Sequence, residues 1–300
     1  MNLSTFAPAI VTLPWRAYLH LCKPRVVALV VFTAMIAMLL AAPSGQVPWS
    51  LLLTATLGIT LAGASAAAFN QVVDRDIDAQ MCRTRGRPLP SGSLTVDAAS
   101  RFAALLGTLA LVLLWWAVNP LTAVLTLFTL IGYAVIYTRY LKWIGPQNIV
   151  LGGVAGAAPV LLGWCAVSGH VDWQAVSLFL IILVWTPPHF WALAIARRNE
   201  YAEAGVPMLP VTHGVAYTRR AILAYTLALL PVTLLPGVAG LSGPLYLGGA
   251  AALGSLFVLR AFLLLYTDGD RAALRLFRFS ITYLVLLFAL LLADHFFANL

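Results

Sequence analysis

The sequence predicts an all-α integral membrane protein, a bundle of nine transmembrane helices around a central cavity, and three observations carry that expectation. The 300-residue chain is 62% hydrophobic and only 9% charged, with a mean hydropathy of +0.93, unlike any soluble domain of this length. Apolar runs of about 20 residues, the length needed to cross a bilayer core about 30 Å thick, recur along the chain. The basic residues fall on one side of the zigzag that those runs define, as expected when positively charged loops stay in the cytoplasm during insertion.

The nine expected spans are Val26–Ala42, Leu51–Phe69, Phe102–Val118, Leu121–Tyr137, Ile149–Val167, Ala175–Ile195, Ile222–Gly240, Leu245–Tyr266 and Phe279–Phe297. The charge of each connection supports them in turn. Arg16, Lys23 and Arg25 precede the first span, and the turn after it, Ser44–Gln46, has no base. Arg75, Arg83, Arg85, Arg87 and Arg101 follow the second; Asn119–Pro120, after the third, is neutral. Arg139 and Lys142 follow the fourth, and Gly169–Trp173 after the fifth has no base. Arg197, Arg198, Arg219 and Arg220 follow the sixth; Ser242–Gly243 is again neutral. Arg260 lies near the end of the eighth span, Arg271, Arg275 and Arg278 come after it, and no base follows Asp294. Together these account for all 18 Lys and Arg residues, and a wrong helix count would scramble the separation.

Residues 1–25 are therefore expected as a cytoplasmic N-terminal segment, and 26–300 as one transmembrane domain with polar inner loops at 70–101 and 196–221. The net charge of +8 follows from topology and anionic headgroups, which removes it as a sign of nucleic-acid binding. The apolar stretch Phe6–Trp15 is broken by two prolines and lacks a small-residue cleavage pattern, so no signal peptide is expected. Cys22, Cys82 and Cys165 show no CxxC spacing and are expected reduced and structural.

Polar residues gather in the two long inner loops. In the first, Asn70, Asp74 and Asp78 recur every four residues and on a continuing helix form one stripe drifting by about 40° per step. Such hard oxygen donors suit Mg2+, which binds through one or two carboxylates, retained waters and substrate phosphates. The arginines that follow match phosphate oxygens in bidentate fashion, so the combination suggests a ligand with a diphosphate head and an apolar tail. The competing reading is a solvated helix end with surface pairs worth under about 1 kcal/mol. Asp76, two residues off the stripe, is expected at the surface. The second loop runs from Thr186-Pro-Pro-His189 through Arg197-Arg198-Asn-Glu200-Tyr201 to Pro210, and its register suggests two pseudo-equivalent halves under one lid.

The stripe followed by Arg87-Pro-Leu-Pro-Ser-Gly resembles the first aspartate motif of the intramembrane aromatic prenyltransferase superfamily. Lys23-Pro24-Arg25, Tyr137-Thr138-Arg139-x-Leu141-Lys142, Asn148 through Pro159, Trp185-Thr-Pro-Pro-His-Phe-Trp and Gly205-Val-Pro-Met-Leu-Pro narrow the resemblance to its heme-farnesylating branch, over about residues 20–220. The resemblance implies a farnesyl transfer from farnesyl diphosphate to a vinyl group of heme B, with Mg2+ as cofactor. It implies Asn70, Asp74 and Asp78 as metal ligands, with Glu200 as a further acid; Arg83, Arg87, Lys142, Arg197, Arg198 and Tyr201 as substrate-binding; and His189 as the residue that places or holds the porphyrin. Lys23 and Arg25 are weaker candidates. The second loop departs from the superfamily pattern: Arg197 and Tyr201 occupy the places of its second Asp pair, which puts a second metal ion in doubt.

The resemblance further implies a chain surrounded by membrane lipid in a cell inner membrane, with heme A synthase or terminal-oxidase assembly as the expected downstream partner. Another aromatic acceptor, such as a quinone precursor, is the nearest rival and would carry both aspartates in the second loop. A transporter would place ionisable residues near helix midpoints, and a heme-carrying subunit would offer paired histidines. Cysteines introduced at positions 92 and 205 are expected to label from one membrane face and at 169 from the other; labelling of 92 and 205 from opposite faces would remove the nine-helix topology.

Overall fold

A computed structural model of the chain describes residues 15–42, 46–267 and 269–297. Among the described residues, nine helices are long and apolar enough to cross a membrane: α1 (Pro24–Ala41), α2 (Trp49–Val73), α3 (Val96–Ala117), α4 (Pro120–Ile144), α5 (Asn148–Ser168), α6 (Trp173–Ala196), α7 (Gly214–Val238), α8 (Pro244–Leu265) and α9 (Asp270–Phe297). Most of the Phe6–Trp15 stretch and residues 43–45 of the first turn lie outside them.

Local chemistry sets where these helices begin. Pro24, Pro120 and Pro244 stand in the first turn of α1, α4 and α8, where a missing N–H costs nothing. Thr95 accepts from Ala98 N to cap α3, and Asn119 Oδ1 accepts from Thr122 N at 2.8 Å to cap α4. The cap of α8 comes from elsewhere: buried Asp294 on α9 accepts from Gly243 N and Tyr246 N.

Several boundaries differ from the expected ones in the same direction. Helix α3 starts at Val96 rather than Phe102 and α7 at Gly214 rather than Ile222, so Arg101, Arg219 and Arg220 lie on helices and the polar loops are shorter than 70–101 and 196–221. Charged residues are excluded from the hydrocarbon but not from the helix, because a polar first turn at the interface keeps its intrahelical bonds. Helix α4 runs on to Ile144, with i→i+5 winding over Gly132–Leu141. Helix α7 is interrupted at Thr233–Leu234, between Pro231 and Pro236.

Helices α5 and α6 form the interior, with α1 packed on α5, α7 and α9 on α6, and the α2–α3 and α8–α9 hairpins on the two flanks. Exposed Trp15, Tyr140, Trp143 and Tyr266 ring the end where the bases lie, and Trp49, Trp115, Trp116 and Trp173 ring the other, matching two interfacial belts. Gly92, Gly169 and Gly205 all have positive φ, a backbone that a substituted cysteine strains. Labels therefore belong on the neighbours Ser93, Val171 and Glu203.

A close backbone approach joins α1 to α5: a Cβ on Gly163 would lie 2.1 Å from the Ala34 carbonyl oxygen. Gly163→Ala is expected to separate these helices and cost about 3 kcal/mol. Gly156→Ala on the same helix meets nothing within 4 Å and should hold or raise stability, by up to about 1 kcal/mol. Thermal melting in detergent reads both, and equal midpoints would show that the α1–α5 contact does not limit stability.

Candidate active site at the basic end of the bundle

Helix α2 runs to Val73, and Asp74 links it to a further turn of helix, Arg75–Gln80. Asp74 N donates to Asn70 O at 2.9 Å and Asp78 N to Asp74 O at 2.8 Å, so the i, i+4 register is unbroken. Asn70, Asp74 and Asp78 are 6%, 8% and 4% exposed. The Asp76 side chain, by contrast, is 80% exposed beside Arg75, which sets the stripe apart from a solvated helix end.

Burying two carboxylates at the end of an apolar bundle requires compensating charge. Lys142 Nζ on α4 donates to Asp74 Oδ1 at 2.9 Å, and Arg87 Nη1 in the first loop donates to Asp78 Oδ2 at 2.6 Å. Asn70 organises the centre: its Nδ2 donates to Asp74 Oδ2 at 2.9 Å and to Thr138 Oγ1 at 3.3 Å, while its Oδ1 accepts from Lys23 Nζ at 2.6 Å. The wide winding of α4 serves this arrangement, since Thr138 Oγ1 donates to Tyr133 O five residues back; such π segments gather at functional sites.

Lys23 enters the site more firmly than its sequence rank suggested. It has φ 47° and ψ 59°, and among the described residues no other non-glycine has positive φ. That conformation costs roughly 1–3 kcal/mol and persists only where the surroundings over-determine it. Here it turns the chain between the helix Trp15–Leu21 and α1 so that the ammonium meets Asn70. Burial, then Arg87, lowers the Lys23 pKa to about 8, against the opposing pull of Asp74 and Asp78. The one sequence signal was Lys23-Pro24, because the residue before a proline is held off the α region.

The second loop repeats the first in outline. Asp74 follows α2 and precedes the six-residue helix Arg75–Gln80; Arg197 follows α6 and precedes the six-residue helix Arg198–Glu203. Tyr201 thus occupies the place of Asp78. It lies within electrostatic reach of Arg83, Arg87, Arg197 and Glu200, and burial raises its pKa. Arg197 Nη1 donates to Glu200 Oε1 at 2.6 Å, and Glu200 Oε2 is buried with no hydrogen-bond partner. Arg198 turns away from the stripe to Asp270 at the start of α9.

His189 faces α9. Its Nδ1 bonds Ser280 Oγ at 2.7 Å, and its ring stacks on Trp185 and Phe277 at centroid distances of 4.2 and 4.5 Å. The structure therefore brings together Asn70, Asp74, Asp78, Arg87 and Lys142, adds Lys23 and Thr138, sets Arg83 and Tyr201 near them, and places Arg198 and His189 against α9. Tyr137 stacks on Tyr133 at 5.7 Å within reach of Asp74 and Tyr201. Gly152 makes room for it, since an added Cβ would lie 2.6 Å from Tyr137 Cε2.

The donor set fits Mg2+. Two buried carboxylates and an amide oxygen recur at i, i+4 along one helical face. That suits an ion completing its shell with water and phosphate oxygens.

Solved structures share this architecture. A digeranylgeranylglyceryl phosphate synthase superposes with a TM-score of 0.78 at 20% identity, covering 94% of this chain and 99% of that one. A UbiA homologue from Archaeoglobus fulgidus bound to GPP and Mg2+ superposes with a TM-score of 0.64 at 14% identity, covering 92% and 99%. The sequence profile of the UbiA prenyltransferase family matches residues 30–293, and the chain belongs to that family. Within it, the chain is 57% identical over 285 residues to the protoheme IX farnesyltransferase of Marinobacter nauticus, covering 95% of this chain and 94% of that protein. It is also 57% identical over 282 residues to the protoheme IX farnesyltransferase of Thioalkalivibrio sulfidiphilus, covering 94% and 93%.

The charge balance generates a stability prediction. Lys142→Met strands a buried carboxylate and is expected to cost about 3 kcal/mol. Arg101→Met, at a pair whose side chains are 77% and 73% exposed, should cost no more than about 0.5 kcal/mol. Equal shifts in melting midpoint for the two would mean that Asp74 is solvated rather than buried.

Proposed function

We propose that the chain transfers the farnesyl group of farnesyl diphosphate to a vinyl group of heme B, with addition of water, to give heme O. The observation that carries the reading is the Asn70–Asp74–Asp78 stripe, buried among Lys23, Arg87 and Lys142 at the end of an apolar bundle. The relatives named protoheme IX farnesyltransferase point to the acceptor.

Asn70, Asp74 and Asp78 would hold Mg2+, with Glu200 supplying a further oxygen from the second loop. Bound there, the ion would neutralise charge building on the departing diphosphate. Lys23, Arg83, Arg87, Lys142 and Arg197 bind the diphosphate oxygens, with the Tyr201 hydroxyl as a hydrogen-bond donor. As the C–O bond to diphosphate breaks, the leaving group keeps the electron pair and a delocalised allylic cation remains. The vinyl terminal carbon bonds to that cation; water adds to the carbon beside the ring and loses a proton. Until that step the cation must be shielded from bulk water, a task suited to the buried apolar residues Ile77, Met81, Val206 and Met208 of the two loops. His189 Nδ1 is engaged by Ser280, so any bond to heme iron falls to Nε2. The basic end faces the cytoplasm of a bacterial cell, with the bundle spanning the inner membrane.

Purified protein incubated anaerobically with farnesyl diphosphate, Mg2+ and heme B should release diphosphate and yield a hydroxyethylfarnesyl heme by mass. Preference for 4-hydroxybenzoate over heme, or an absolute need for O2, would overturn the assignment. In the same assay Asp74→Ala and Asp78→Ala should each lose two to three orders of magnitude, about 3–4 kcal/mol of barrier. Asp76→Ala should stay within about tenfold of the parent. Equal activities for all three would refute the metal site.

A further inference from the structure

Most of the cations with carboxylate partners lie around the two lid loops: Arg75, Arg87, Arg101, Lys142, Arg197 and Arg198 all pair with an Asp or Glu. The last hairpin carries four more cations. Arg260 on α8 and Arg271, Arg275 and Arg278 on α9 are exposed, and none forms an ion pair among the described residues. Asp270, which opens α9, is already held by Arg198.

The position of Arg260 sets this group apart. Arg260 lies inside an apolar span, beside the exposed Leu256, Leu259 and Leu263. Its guanidinium is not extended to the helix end; it sits 4.3 Å over the Phe279 ring, roughly 13 Å along α9 at 1.5 Å per residue. Arg275 and Arg278 flank Phe279, one turn before it and next to it. Arg275 and Arg278 precede Phe279, where the ninth apolar run begins, so the three guanidiniums gather at the edge of the hydrocarbon, the level at which a phospholipid carries its phosphate while its acyl chains lie along the apolar span.

We propose that the α8–α9 hairpin binds the headgroup of an anionic phospholipid, its phosphate held by Arg260, Arg275 and Arg278 and an acyl chain laid along Leu256, Leu259 and Leu263. Planar forks suit phosphate oxygens, and basic clefts between membrane helices are established sites for such lipids.

Native mass spectrometry of the detergent-purified full chain tests this, with dioleoylphosphatidylglycerol and dioleoylphosphatidylcholine offered at equal ratio. The phosphatidylglycerol adduct should exceed the phosphatidylcholine adduct by about fivefold or more, corresponding to about 1 kcal/mol. Arg260→Gln/Arg278→Gln should abolish that preference, while Arg75→Gln/Arg101→Gln, which removes the same charge from acid-paired sites, should preserve it. Equal retention of the two lipids by the parent chain would overturn the proposal whatever the variants do. So would an equal loss in the control pair, or displacement of the lipid by inorganic phosphate at matched ionic strength.

Discussion

Two carboxylates cannot be buried at the end of a nearly charge-free bundle without cations beside them, and meeting that requirement shapes the basic end of this protein. Asp74 and Asp78 draw Lys142 from α4 and Arg87 from the first loop, and Asn70 draws Lys23 from the start of α1. One electrostatic cluster thereby ties three helices and a loop together. The strained backbone at Lys23 and the wide winding of α4 both follow, because each brings a side chain to the cluster that regular geometry would direct elsewhere.

The same cluster explains how the two lid loops diverge. Each loop leaves its helix through one non-helical residue and a six-residue helix, so the fold offers two equivalent places for acids. At those two places only the first carries acids; in the second, Arg197 and Tyr201 stand where Asp74 and Asp78 would, with Glu200 beside them. The site is asymmetric as a result, with two carboxylates and an amide on one side and a guanidinium, a phenol and the single carboxylate of Glu200 on the other.

At the far end of the molecule charge is used structurally. Buried Asp294 caps α8, and His295 Nε2 bonds the Ala42 carbonyl at the end of α1. These contacts pin the last helix to two others at the end opposite the candidate site. At the basic end of the same hairpin, Arg260, Arg271, Arg275 and Arg278 form no ion pair among the described residues.

Much of the architecture was readable in the amino-acid sequence, because a bilayer imposes a one-dimensional rule. Apolar runs of fixed length and segregated bases define nine spans without any knowledge of which helix touches which. The four-residue period of Asn70, Asp74 and Asp78 likewise placed the stripe on one face, since that periodicity is a property of the helix alone. Helix ends were less readable: hydropathy marks the hydrocarbon boundary, whereas backbone hydrogen bonding carries α3 and α7 into charged sequence. Lys23, Thr138 and the orientation of His189 toward Ser280 belonged to the tertiary structure. Each depends on contacts between helices far apart in the chain, where packing and charge compensation, not local period, decide what a side chain meets.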